Sequence, residues 1–105
     1  MEALLKAIAN PYRREILRLV WDAELPSGAI AERFDVTWPS ISRNLKVLKG
    51  AGLVRERRDG NVHYYRADRK ATKPVEAMLR QMWESGLDRL AEAARAEHSK
   101  GGSRR

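Results

Sequence analysis

Along most of this chain, apolar residues recur at helical spacing. Leu4, Leu5 and Ile8 share one face of a first helix over about residues 3–9. Asn10-Pro11 then supplies a cap and a first helical residue for a second helix over 11–22. Its inward positions are Ile16, Leu17 and Val20, with Trp21 beside them. Leu25-Pro26-Ser27-Gly28 reads as a connector, and Ser27 as the cap of a short helix over 28–34 that turns Ile30 and Phe34 inward. Asp35-Val36 is a turn. From Trp38 to Gly50, Ile41, Leu45 and Leu48 recur at i, i+4 and i+7, the mark of a helix with one buried face. Thr37 is placed to cap it, and Pro39 falls in its first turn, where a missing N–H costs little. Gly50 and Gly52 supply the left-handed stop.

The pattern then changes. Residues 53–58 and 61–66 are rich in strand-forming side chains, and Asp59-Gly60 between them is a two-residue hairpin signal. With Asp59-Gly60 as the loop, Glu56 faces His63 and Val54 faces Tyr65. Val54 and Tyr65 then point to the core, and Arg55, Arg57, Val62 and Tyr64 lie on the other face. A last long helix is expected over about 72–98, with Val75, Met78, Leu79, Met82, Trp83, Leu87, Leu90 and Ala94 as a continuous apolar stripe. The expected fold is mainly helical with one small β-hairpin, in the order α-α-α-α-β-β-α. Residues 1–98 form one domain, and 99–105 form a flexible basic tail.

Charge sharpens this picture. The net charge of +7 is uneven: residues 1–37 sum to −1, 71–105 to +2, and 38–70 to +6, with nine basic side chains against three acidic. The excess sits on the helix from Trp38 and the hairpin after it, a footprint suited to nucleic acid. The candidate DNA-binding set is Thr37, Trp38, Ser40, Ser42, Arg43, Asn44 and Lys46 on the helix, with Arg57, Arg58 and Asn61 on the hairpin. Arg43 can grip guanine with two bonds and Asn44 can do the same for adenine. Lys46, Lys49, Arg57 and Arg58 suit phosphates or the minor groove. Trp38 either packs on the sugar–phosphate backbone, touches a thymine methyl, or covers the helix start; Asn44 has the alternative of bracing the hairpin.

Other chemistries find little support. The absence of cysteine removes disulfides, thiol nucleophiles and Cys-ligated metals. There is no Gly-rich phosphate loop, and His63 and His98 stand in no catalytic context. No run of about 18 apolar residues is present and no basic leader precedes an apolar core, so a cytoplasmic protein without a membrane span is expected.

Helix, helix, short helix, turn, helix and hairpin make a winged helix-turn-helix, and the chain resembles the ArsR-type bacterial transcriptional repressors. The resemblance rests on Ala9-Asn10-Pro11-Tyr12-Arg13-Arg14-Glu15-Ile16-Leu17, Ile30-Ala31-Glu32-Arg33-Phe34, residues 39–48, and Gly52-Leu53-Val54 with Tyr64-Tyr65-Arg66. It implies a homodimer that represses transcription from a palindromic operator. The helix from Trp38 would be its recognition helix and the hairpin its wing. The dimer interface is then expected from Leu4, Leu5, Ile8, Val75, Met78, Leu79, Met82, Trp83, Leu87 and Leu90, with Gly86 allowing two helices to approach. Metal-sensing subtypes use a Cys pair before the recognition helix or an Asp/His/His/Glu set on the last helix. Here Asp88 and His98 remain, but Leu90 and Gly101 stand where a His and a carboxylate are needed, so no metal or cofactor is expected. Two alternatives stay open: a ligand sensor with Met78, Met82 and Trp83 lining a pocket, and a nonspecific DNA-binding or protein-interaction module.

Overall fold

The computed structural model describes residues 1–86 of the 105. Helix α1 spans Glu2–Ile8 and α2 spans Pro11–Leu19. A two-residue strand β1, Leu25–Pro26, precedes α3, Ser27–Ala31. Then come α4, Trp38–Gly50, strands β2, Val54–Asp59, and β3, Val62–Ala67, a 3-10 turn Lys73–Val75, and α5, Glu76–Ser85.

The helix signals act as their chemistry requires. Asn10 Oδ1 accepts from the amides of Tyr12 and Arg13 at 2.8 and 3.2 Å, satisfying two donors of the first turn of α2. Thr37 caps α4 in the same way, accepting from Ser40 N at 3.3 Å. Ile41 and Leu48 are completely buried beneath α4 and Leu45 nearly so, packed with Ile16, Leu17, Ile30, Leu53, Val75 and Leu79 in one core. The sheet is bolted to this core by backbone bonds: Ala67 N donates to Val20 O at 3.0 Å and Asp68 N to Leu53 O at 2.8 Å.

Four expectations need correction. The connector at Leu25–Pro26 is a third strand, pairing Leu25 with Tyr65 and Pro26 with Tyr64 to give a sheet in the order β1-β3-β2. Proline has no N–H to donate, which suits this edge position. The α3 helix is shorter than expected, ending at Ala31, and Ser27 is its first residue rather than its cap. The hairpin loop is Gly60-Asn61 rather than Asp59-Gly60, because Asp59 pairs with Val62. Gly60 takes φ of +63° at the first loop position, the place where glycine serves a II′-type turn. Glu56 therefore lies opposite Tyr65, and Val54 opposite Ala67. The slip moves each pair by two positions, so the facing survives: Val54 and Tyr65 are buried, while Arg55, Arg57 and Val62 are exposed.

The fourth correction concerns the last helix. It does not run unbroken from residue 72, since α5 stops at Ser85 and Gly86 takes φ of +84°, a left-handed cap. Gly86 therefore ends α5 as its cap. Within the stripe, Ile8, Val75 and Leu79 are at most 1% exposed and belong to the core of the subunit, so they are not available to a partner. Trp83 is half-buried against Trp21, ring centroids 5.2 Å apart and edge to face, and its Nε1 donates to Arg14 O at 3.3 Å. Leu5 and Met78 remain 41% exposed. Leu4 and Met82 are half-buried. Leu87, Leu90, Ala94, Asp88, His98 and the basic tail lie outside the described residues. Among the described residues, no helix is long and apolar enough to cross a membrane.

Candidate nucleic-acid interface

Three sides of α4 have three different surroundings. Ile41, Leu45 and Leu48 face the core. Trp38, Ser42, Lys46 and Lys49 face the wing across a cleft of about 260 Å³, whose far wall includes His63 and Tyr65. Arg43 is exposed toward solvent, with Lys46 and Val47 beside it. Trp38, which lines the cleft, is 51% exposed.

The wing is held against α4 by one carboxylate. Glu56 Oε1 accepts from Lys49 Nζ at 2.5 Å, and Oε2 accepts from Tyr65 Oη at 3.0 Å and lies 2.5 Å from His63 Nδ1. Bonds from Lys49 first and His63 second hold the Glu56 carboxyl down to about 2, because they favour its charged form. Burial pushes the Tyr65 hydroxyl up to about 12, and the bond to Glu56 adds to this. A carboxyl depressed in the folded state stabilises the fold fully above its unfolded value near 4.5, and that contribution is lost as pH falls toward 2. Glu24, Asp68 and Glu76 are lowered as well and act in the same direction. Thermal melting of Glu56→Gln against the parent should show a gap at neutral pH that narrows steadily between pH 4.5 and 2. A gap of constant size across that range would refute the hub.

The remaining cations divide into two groups. Arg57 is turned away from the cleft: its Nε and Nη2 bond Glu24 at 3.0 and 2.7 Å, and its guanidinium lies 4.5 Å over the Tyr64 ring. Arg55 bonds Asp68 at 3.0 Å. Arg43, Lys46 and Arg58 form no ion pair among the described residues, and each is exposed. Asn61, at the hairpin tip, is exposed too.

Comparison with known proteins bears on this arrangement. Residues 8–57 match a family model described as a helix-turn-helix domain. The chain is 42% identical over 65 residues to the transcriptional repressor SdpR of Bacillus subtilis, covering 62% of this chain and 72% of the relative. It is 30% identical over 80 residues to the transcriptional activator HlyU of Vibrio cholerae, covering 76% of this chain and 74% of the relative. Among solved structures, a homodimeric winged helix-turn-helix DNA-binding domain from Mycobacterium bovis, described as a possible ArsR-family transcriptional regulator, superposes with a TM-score of 0.69 at 32% identity, covering 82% of this chain and 80% of that one. The chain belongs to the ArsR-type transcriptional regulators. Its work is to bind DNA and regulate transcription, not to catalyse a reaction.

For this ArsR-type regulator the candidate set is rearranged in two respects. Asn44 is only 9% exposed, and both ends of its amide are turned inward: Oδ1 accepts from Arg13 Nη1 at 3.1 Å and Nδ2 donates to Ser40 O at 3.0 Å. A two-bond grip on adenine needs both ends facing outward, so Asn44 is a brace, though toward α2 rather than toward the hairpin. Arg57 is paired with Glu24 and Lys49 with Glu56, so each would exchange a carboxylate for a phosphate on meeting DNA. The structure brings Trp38, Ser42, Arg43 and Lys46 together on one helix surface and sets Arg58 and Asn61 at the wing tip. Thr37 is exposed with its hydroxyl used as a cap, and Ser40 is half-buried. Glu24 and Arg13 were not legible as members of the site. Their signals were an acid just before the connector and an arginine within the Asn10-Pro11-Tyr12-Arg13 motif.

Proposed function

We propose that the chain is a repressor that acts as a homodimer on a palindromic operator. In this reading Arg43 reads a base in the major groove, with Trp38, Ser42 and Lys46 around it. Arg58 and Asn61 meet the backbone or the minor groove beside it, while Thr37 and Ser40 contribute near the helix start. The observation that carries the reading is the sorting of cations: those that position the wing are neutralised by Glu24, Glu56 and Asp68, whereas Arg43 and Lys46 are left facing solvent on the recognition helix. Unneutralised cations on one helix face supply the phosphate attraction and the base-edge donors together. The exposed Leu5 and Met78 on α1 and α5 support pairing through those helices, since apolar side chains left in water favour association. Two-fold symmetry would set the recognition helices about 34–36 Å apart, on successive major grooves. The SdpR likeness supports repression, and the chain's lack of cysteine supports action without thiolate-bound metal. A regulator that meets the chromosome works in the cytoplasm.

The test is selection of binding sites from a random duplex pool with metal-stripped protein at near-physiological salt. Enrichment of an inverted repeat with half-sites about one helical turn apart supports the reading. Enrichment only after a divalent metal is added would refute its metal independence. Binding that merely fades with salt, without enrichment, would refute sequence reading altogether.

A further inference from the structure

The Arg13 side chain, in the first turn of α2, reaches two other helices at once. Its Nε donates to Ala7 O at 2.7 Å and its Nη2 to Lys6 O at 3.1 Å, two carbonyls in the last turn of α1. Its Nη1 donates to Asn44 Oδ1 at 3.1 Å, and Asn44 passes the connection on by donating to Ser40 O at 3.0 Å. Donor and acceptor roles leave one arrangement: a guanidinium can only donate and a carbonyl only accept, so the Asn44 amide must face as it does. Asn10 holds the backbone of Arg13 in place by capping its amide at 3.2 Å.

The surroundings give this strut a task. An open groove of about 350 Å³, walled by Ala3 and Lys6 on one side and Val47 and Gly50 on the other, separates α1 from the C-terminal half of α4. Ala7 and Ile8 join α4 in the core below, but toward the surface side-chain packing leaves the space between these helices open. Apolar contacts of Ile41, Leu45 and Leu48 fix how deep α4 sits, but such contacts are weakly directional. Hydrogen bonds are directional, weakening steeply as the donor angle departs from linear. Arg43 is the residue next to Asn44, so a roll of α4 about its axis moves the Arg43 side chain across the base edges.

We propose that Arg13 is a positioning residue for sequence reading. Through Asn44 it sets the roll of the recognition helix and ties that roll to α1. The proposal rests on the reading of Arg43 as a base contact. It requires Arg13 to affect discrimination between sequences and to leave the general attraction for DNA intact, since phosphate contacts tolerate small rotations better than a two-bond grip on one base.

The experiment measures affinity for the selected operator and for a random duplex of equal length, at one salt concentration and at a temperature where every variant is folded by circular dichroism. The variants are Arg13→Ala, Asn44→Ala and the double variant. Arg13→Lys is added because an ammonium cannot span three fixed acceptors as a planar guanidinium does, and Leu17→Val trims the core without touching the strut. Arg13→Ala and Asn44→Ala should each lower the operator preference about tenfold or more, with random-duplex affinity within about twofold. The double variant should lose no more than either single variant, because both cut one connection. Arg13→Lys should not rescue, and Leu17→Val should keep the parent's preference. Should Arg13→Ala fail to fold, Asn44→Ala and Arg13→Lys carry the same comparison. Retained preference in the Arg13 variants, parallel losses on both duplexes, multiplying losses in the double variant, or a loss in Leu17→Val as large as the others would overturn the strut. A parent protein with no operator preference would overturn the base-reading role of Arg43, and the strut with it; a parent that discriminates alongside Arg13 variants that discriminate equally would overturn the strut alone.

Discussion

Arg43→Ala is expected to weaken operator binding by roughly 5- to 140-fold while random-duplex binding falls only a few-fold. A two-bond contact to guanine is worth about 1–3 kcal/mol of discrimination, and each 1.4 kcal/mol is a factor of ten. The nonspecific loss is smaller because removing one cation removes one phosphate contact at most, lowering the salt dependence by about one unit of log–log slope. Arg43 is exposed, lies one residue from the braced Asn44, and forms no ion pair among the described residues, so its removal leaves no buried charge stranded. Titration of both duplexes at several salt concentrations gives the affinities and the slopes together. Equal losses on operator and random DNA would reduce Arg43 to a phosphate contact and pass the base-reading role to a neighbour such as Lys46 or Ser42.

Leu48→Ala should produce a large loss of stability, among the largest of the alanine truncations on the recognition helix. The side chain is completely buried, between α4 and the start of the sheet. Truncating a buried leucine to alanine typically costs about 2–5 kcal/mol, from lost transfer free energy and the cavity left behind. Against a total stability of about 5–15 kcal/mol this is a large share. For a domain of this size it lowers the melting temperature on the order of 10–30 °C. Val47→Ala, one position earlier and 39% exposed, should stay within about 0.5 kcal/mol of the parent. The pair isolates burial from helix propensity, because both substitutions place alanine in the same turn. Leu48→Ala should lower operator and random-duplex binding in proportion to the unfolded fraction, unlike Arg43→Ala. A Leu48→Ala melt close to that of Val47→Ala would contradict the packing of α4 described above.

The start and the buried face of the recognition helix were readable because their determinants are local, whereas at its end only Gly52 is left-handed and Gly50 stays helical. Thr37 as a cap, Pro39 in the first turn and the 3–4 spacing of Ile41, Leu45 and Leu48 each involve partners within a turn or two of sequence. The wing was readable as a hairpin but not in register, since Asp59-Gly60 and Gly60-Asn61 are both acceptable loops and the two registers bury the same faces, which leaves the choice to turn geometry and to cross-strand pairs. Strand β1 had no signal at all: two residues show no alternation, and Leu25-Pro26 is a strand only because β3 lies beside it. The long terminal helix was overread. An apolar stripe says which positions are buried but not against what, and Val75 and Leu79 turned out to fill the subunit's own core rather than a partner's surface.

Charge shows the same division. Local sequence placed the positive excess on residues 38–70, and that placement was enough to point to nucleic acid. Which cations remain available is decided by carboxylates far away in the chain: Glu24 takes Arg57 across 33 residues, and Asp68 takes Arg55 across 13. The helices, their caps, the buried face of α4 and the sign of the surface it presents follow from neighbours along the chain, and so were legible before any fold was known. Only the tertiary structure decided that Asn44 is a brace, that Glu56 joins the wing to the helix, and that Arg13 links α1 to α4, because a hydrogen bond's partner is chosen by distance in space, which chain order does not encode.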